Sequence, residues 1–271
     1  MPESILAHSE SGNTEKSALV SVIMPAYNSA EFITEAILSV QKQTYSNWEL
    51  LVIDDASKDF TLGKIKNLAK EEPRIKIFEN KKNKGTGFSR NKGIRAAQGD
   101  FIAFLDADDL WKANKLEAQL EFMKNNELAV CYSSYERITE NGQKRNEIIE
   151  ALPYLTYQKL LKANYVGNLT GMYDVRQLDK IYAPDVRKRQ DWALWLEAIK
   201  KGGTAKGIKE PLALYRLRKN SVSGNKLEML GHNFNIYYRV LGFSFLKSLR
   251  CMGVFLKEQL LVKQRQLKQI K

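Results

Sequence analysis

From Leu19 onward the chain alternates short apolar bursts with longer segments in which apolar residues recur every three or four positions. Leu19-Val20-Ser21-Val22-Ile23-Met24, closed by Pro25, has the length and β-branched content of a buried strand. Ile33, Ala36, Ile37 and Val40 mark one helical face, and Asn28-Ser29-Ala30-Glu31 ahead of them offers an N-cap with a glutamate three residues later. Trp48 to Ile53 repeats the strand pattern and ends in Asp54-Asp55. A helix is then predicted from about Phe60 to Lys70, a strand over Arg74 to Phe78, a Lys/Asn/Gly loop over 81–87, a helix over 88–98 closed by Gly99, and a fourth strand over Phe101 to Leu105. Alternation at this pitch predicts an α/β fold, a mostly parallel Rossmann-like sheet flanked by helices.

The second half is less regular. Lys115 to Lys124 reads as a helix, Ala129 to Ser134 as a strand, Trp192 to Lys200 as a helix stopped by Gly202-Gly203, and Leu212 to Leu217 as a strand. Residues 226–271 read as a mainly helical extension. Residues 1–18 are polar and aperiodic and are expected to form a mobile leader. They carry Glu3, Glu10 and Glu15 and no apolar run, so they read as neither a signal peptide nor a membrane anchor, and the expected location is the cytoplasm.

Composition sharpens this picture in two places. Cys131 and Cys251 form no CxxC and only His8 and His232 accompany them, which argues against a thiolate or imidazole zinc site and against a disulfide scaffold. The net charge of +12 is unevenly spread: −6 over residues 1–57, +7 over 58–100, +5 over 101–240 and +6 over 241–271. A basic stretch in the first half and a basic tail suggest two separate anionic partners.

Ligands of open parallel sheets gather at the carboxyl ends of the strands. Three predicted strands end there in polar residues: Tyr27-Asn28, Asp54-Asp55 and Asp106-Ala107-Asp108-Asp109. Three carboxylates in four positions are costly unless a cation neutralises them, and oxygen ligands favour Mg²⁺ or Mn²⁺ with substrate phosphates completing the shell. Asp54 and Asp55 could accept hydrogen bonds from a base or ribose, or could serve the turn and cap the next helix. Lys84, Arg90 and Lys92, near Gly85-Thr86-Gly87 and a helix N-terminus, make a setting for phosphate.

Four segments together resemble the family 2 glycosyltransferases of the GT-A fold: Val22 to Asn28, Val52 to Ser57, Asn83-Lys84-Gly85 with Ser89 to Ile94, and Phe104 to Asp109. Gln190-Asp191-Trp192 with Leu194-Trp195-Leu196 is similar to the family segment bearing the catalytic base, and Tyr215-Arg216-Leu217-Arg218 with Ser221-Val222-Ser223 to its late basic loop over the donor. The resemblance implies a GT-A domain over 19–224, split into a nucleotide-binding half (19–111) and an acceptor-binding half (112–224), followed by a tail over 225–271. It implies Pro25, Tyr27 and Asp55 around the nucleotide base and ribose with Asp54 beside them, Asp106 facing the ribose, Asp108 holding Mn²⁺ or Mg²⁺, and Arg90, Arg216 and Arg218 near the donor. Arg218 stands where many relatives carry histidine. Asp191 would be the base that deprotonates the acceptor hydroxyl, in a single displacement that inverts the anomeric centre; as the residue before Trp192 it also suits an N-cap. The implied partners are a UDP-linked sugar donor and a glycan or lipid-linked oligosaccharide acceptor of a surface polysaccharide, met at the inner face of the plasma membrane.

In the tail, Phe245, Leu249, Met252, Leu256, Leu260 and Leu267 fall on one helical face with Lys247, Arg250, Lys257, Arg265 and Lys268 largely opposite. Such a helix could lie on an anionic membrane, pack on the domain or join another subunit. Two rival functions fit the chain less well. A sugar-nucleotide-forming nucleotidyltransferase needs a Gly-rich basic loop after the first strand, where this chain has Pro25-Ala26-Tyr27-Asn28. A nucleic-acid-binding module would interleave aromatic and basic residues, which the chain does not do.

Overall fold

The computed structural model describes residues 17–218 and 226–269; most of the expected leader and Ser221-Val222-Ser223 lie outside them. In chain order the first half runs β1 (Val20–Ala26), α1 (Ile33–Gln41), β2 (Trp48–Asp54), α2 (Thr61–Glu71), β3 (Ile75–Glu79), α3 (Thr86–Ala96) and β4 (Phe101–Phe104). The second half adds β5 (Leu110–Trp111), α4 (Lys115–Asn125), β6 (Val130–Ile138), β7 (Lys144–Ile149), β8 (Tyr154–Leu155), α5 (Tyr157–Lys162), β9 (Met172–Asp174), α6 (Val175–Leu178), α7 (Gln190–Gly202), β10 (Ala205–Arg216), α8 (Lys226–Asn235), α9 (Phe245–Lys257) and β11 (Leu267–Gln269).

One sheet joins them in the order β11-β7-β6-β9-β4-β1-β2-β3, with β10 lying parallel beside β6. The strands of the first half pair in parallel, Val22 opposite both Leu50 and Ala103; β9 enters antiparallel between β4 and β6. The predicted mostly parallel α/β sheet is therefore present, with antiparallel strands confined to the second half. Alternation along the strands divides the core. Val20, Val22, Met24, Leu50 and Val52 pack with α1, α2 and α4 on one face, and Ile23, Leu51 and Ile53 pack with α3, α5 and α7 on the other. Gly93 lets α3 sit directly on β1: a Cβ there would meet Ile23 Cγ2 at 2.6 Å.

Two local expectations fail for physical reasons. The helix predicted to be capped by Asn28 or Ser29 starts at Ile33 with no side-chain cap. Both side chains have other partners: Asn28 Oδ1 accepts from Lys58 N at 2.8 Å, and the Ser29 hydroxyl donates to the Tyr27 carbonyl at 3.1 Å. The tail is not one amphipathic helix. After α9 the chain passes through a π-helical turn (Glu258–Val262) and a 3₁₀ turn (Lys263–Gln266), then pairs as β11 along the edge of β7, Leu267 opposite Ile149. An open strand edge offers unpaired backbone groups, and this segment takes them up; the Gln266 amide adds a hydrogen bond to the Glu150 carbonyl at 2.7 Å. Ile236, Tyr237 and Phe255 complete the α7 side of the core, with the Tyr237 and Phe255 rings 5.6 and 5.8 Å from that of Trp192.

Candidate active site

A cavity of about 430 Å³ opens at the carboxyl ends of β1 and β4. Pro25 and Tyr27 line it from the end of β1, Thr86 and Arg90 from α3, and Asp106, Asp108 and Asp109 from the loop after β4. Asn168, Arg187, Lys188, Arg189 and Asp191 close the opposite side, with Tyr215, Arg216, Arg218 and Met229 over the top. Six cations thus share one hollow with four carboxylates, an arrangement that matches a ligand bearing both phosphate and a bound cation.

The acidic loop divides its labour. Asp106 Oδ1 accepts from Arg90 Nη2 at 3.0 Å. Burial in the cavity floor pushes the Asp106 carboxyl above its ordinary value against the pull of Arg90, and Asp108 adds to the push. Asp109 does not cap the following helix. Its Oδ1 accepts from the Arg216 backbone amide at 2.8 Å and so pins the loop to β10; burial, then Asp108 and Asp106, raise that carboxyl well above the usual carboxylate range. The Arg216 guanidinium also ties the loop down. It donates to the carbonyls of Asp108 and Glu140, both at 2.8 Å, and to Glu35 Oε2 at 2.7 Å. Asp108 is left facing the cavity, its Oδ2 paired with Arg218 Nη1 at 3.2 Å.

This donor set fits a hard divalent ion of a particular kind. Among the described residues no three His, Cys, Asp or Glu side chains group to hold a metal by themselves, and Asp106 and Asp109 are engaged elsewhere. Asp108, although paired with Arg218, is the loop carboxylate that faces the cavity, and a single carboxylate suits Mn²⁺ or Mg²⁺ when phosphate oxygens and water supply the other ligands.

Asp191 lies in the first turn of α7, which starts at Gln190, so it is not the N-cap; that place belongs to Arg189, held in the left-handed region at φ +67°. Asp191 Oδ2 accepts from Asn164 Nδ2 at 2.9 Å, and Lys263 from the tail donates to the Asn164 carbonyl. Burial pulls the Lys263 amine down to about 8, with Arg189 adding to the fall and Asp191 opposing it. Asp54 and Asp55 stand behind the cavity wall. Asp54 Oδ2 accepts from the Ser57 amide at 3.1 Å, while Asp55 binds Asn80 Nδ2 at 2.7 Å and the amides of Lys84 and Gly85, the latter at 2.7 Å. Of the three cations expected near phosphate, only Arg90 faces the cavity: Lys84 stacks on the Phe88 ring and Lys92 binds the Glu79 carbonyl.

Residues 21–177 match the family model described as Glycosyl transferase family 2. The chain belongs to that family. This glycosyltransferase is 39% identical over 239 residues, 88% of its own length and 95% of the other, to TuaG of Bacillus subtilis (strain 168), named as a putative teichuronic acid biosynthesis glycosyltransferase. It is 41% identical over 219 residues, 80% and 85% of the two chains, to WfgD of Escherichia coli, a UDP-Glc:α-D-GlcNAc-diphosphoundecaprenol β-1,3-glucosyltransferase. Its fold is similar to that of the mannosyltransferase PcManGT from Pyrobaculum calidifontis, solved with GDP-Man and Mn²⁺, at a TM-score of 0.62 and 17% identity over 91% of this chain and 71% of that one.

The glycosyltransferase also holds site residues that the sequence did not single out. Asn164 orients the Asp191 carboxylate, and Asn168 lines the cavity with neither side-chain polar atom paired among the described residues. No local pattern marks either one. Lys263 is further hidden, since its contact with Asn164 spans 99 positions.

Proposed function

We propose that the protein transfers a hexose from a UDP-sugar to a hydroxyl of a lipid-linked surface-polysaccharide acceptor, with inversion, at the cytoplasmic face of the membrane. The observation that carries this reading is the convergence of Asp108, the arginine cluster and Asp191 on one cavity. The relatives' names support the finer parts: WfgD is named for a UDP-Glc donor, a lipid-diphosphate acceptor and a β linkage.

In this reading Pro25 and Tyr27 flank the nucleotide base, and Asp106, oriented by Arg90, faces the ribose. Asp54 and Asp55 act from behind, by fixing the turns that carry the wall. Asp108 would hold Mn²⁺ or Mg²⁺ together with the donor phosphates, and the ion would offset charge on the diphosphate leaving group. Arg218 would move its charge from Asp108 to that phosphate group, and Arg187 stands across the cavity for it, while Lys188 beside it is paired with Glu228 at 3.0 Å. Asp191, held by Asn164, takes the acceptor hydroxyl proton as that oxygen bonds to the anomeric carbon. The bond to UDP breaks with its electron pair on the diphosphate, and a single displacement of this kind inverts the centre.

Asp191→Asn keeps the size of the side chain and leaves the cavity intact. Transfer from UDP-glucose to a GlcNAc-diphospholipid should fall by about 10²–10⁴-fold, with UDP binding in Mn²⁺ unchanged by calorimetry. Turnover within a few fold of wild type would overturn the assignment.

A further inference from the structure

The helix α9 carries two apolar faces. One faces the domain: Ser248 and Phe255 are buried, and Cys251 and Met252 pack against the core. The other faces outward. Leu246, Leu249, Leu256 and Leu260 recur at helical spacing along it, Leu246 71% and Leu260 64% exposed, with Phe245, Val254 and Leu261 exposed at its margins. The stripe from 246 to 260 is about 20 Å long at 1.5 Å per residue. Most of the apolar positions that the sequence grouped on one face are thus the ones left in solvent.

The charges that α9 itself exposes along that stripe all have one sign. Lys247, Arg250 and Lys257 are exposed among its leucines. Glu258, the one acidic residue between 241 and 269, is turned inward, where its carboxylate takes hydrogen bonds from Lys159 and, at 2.5 Å, from the Tyr165 hydroxyl. A shallow cavity of about 150 Å³ at the edge of the stripe is walled by Leu161, Cys251 and Val254 and rimmed by Lys162, Lys247 and Arg250. Exposed leucines interleaved with cations, no exposed carboxylate on the helix itself among the described residues and a helix too short to cross a bilayer are the features of an element that lies in a membrane interface.

We propose that the outer face of α9 and the following turn docks on an anionic lipid bilayer, leucines entering the acyl boundary and Lys162, Lys247, Arg250 and Lys257 meeting headgroup phosphates. The proposal stands on exposure and charge, independently of the donor-site reading, and would bring the enzyme to a lipid-linked acceptor.

Cosedimentation of the full chain with phosphatidylcholine vesicles, with and without phosphatidylglycerol, tests it. Wild type should pellet with the anionic vesicles and remain in solution with the neutral ones. Leu249→Ser/Leu256→Ser/Leu260→Ser and Lys247→Glu/Arg250→Glu/Lys257→Glu should each weaken binding by about tenfold or more. UDP binding with Mn²⁺, measured on the same samples, shows that the variants are folded and reports separately on the donor site. Wild type left in the supernatant with anionic vesicles, or leucine variants that pellet like wild type, would overturn the proposal. So would a wild-type dimer, seen without vesicles, that the leucine variants convert to monomer, because the stripe would then belong to a second copy of the chain.

Discussion

Beneath the acidic loop, Lys115 opens α4 with its side chain fully buried, the ammonium 4.0 Å from the centre of the Trp111 ring and donating to Gln119 Oε1. No carboxylate contributes to its titration. Burial pulls its amine from 10.5 down to about 7, opposed by the Cys131 sulfur, whose own thiol burial pushes up to about 12. The folded-state value lies below the unfolded one, so between pH 7 and pH 10.5 the unfolded chain binds more protons, and stability rises with pH across that window. At about 1.4 kcal/mol per pH unit the full rise is about 5 kcal/mol, of which about 4 still weighs on the fold at pH 7 and under 1 at pH 10. Lys115→Met removes the charge in similar volume but leaves Gln119 Oε1 without a donor, a loss of about 1–2 kcal/mol. Urea denaturation should therefore find the variant about 2–3 kcal/mol more stable than wild type at pH 7, and level with it or less stable at pH 10. Parallel curves at the two pH values would refute the reasoning, because titration of this amine, with the Cys131 thiol coupled to it, is what makes the difference depend on pH.

Two further outcomes test the candidate site. Arg218→Ala frees the Asp108 carboxylate and removes a phosphate partner, so Mn²⁺ without nucleotide should bind more tightly and UDP-sugar more weakly, by about tenfold; unchanged Mn²⁺ affinity in calorimetry would show that the ion pair does not compete with the metal. Lys263→Met leaves the Asn164 carbonyl without its donor and should lower kcat about tenfold while KM for the donor holds; a change in KM alone would place Lys263 in general stability and not in support of Asp191.

What the sequence made legible was whatever one element decides for itself. Apolar bursts located β1, β2 and β4 because their residues are buried on both faces, while the edge strand β3 is buried only at Ile75; the polar residues ending β1 and β4 marked the cavity because backbone direction brings strand ends together. Residues whose role depends on a distant partner were misread. Ser29 looks like a helix cap until its amide binds Thr61 and its hydroxyl the Tyr27 carbonyl, and the sequence gives no sign that Arg216, which lines the cavity, also binds Glu35, 181 positions away. Residues 241–271 have a helical pattern throughout, yet Leu267–Gln269 is a strand, because an open edge at β7 lies within reach.

The contact between Lys263 and Asn164 also bears on the order in which the molecule gains its abilities during synthesis. β1 to β4 and the acidic loop are complete by residue 109, but the groups that pin that loop arrive only with Arg216 of β10. The proposed base follows at Asp191, and the brace that steadies its neighbour comes 72 positions later. In this reading a chain still emerging from the ribosome would carry both carboxylates before either was held in place, and the step that joins sugars would wait until the tail had returned to the sheet.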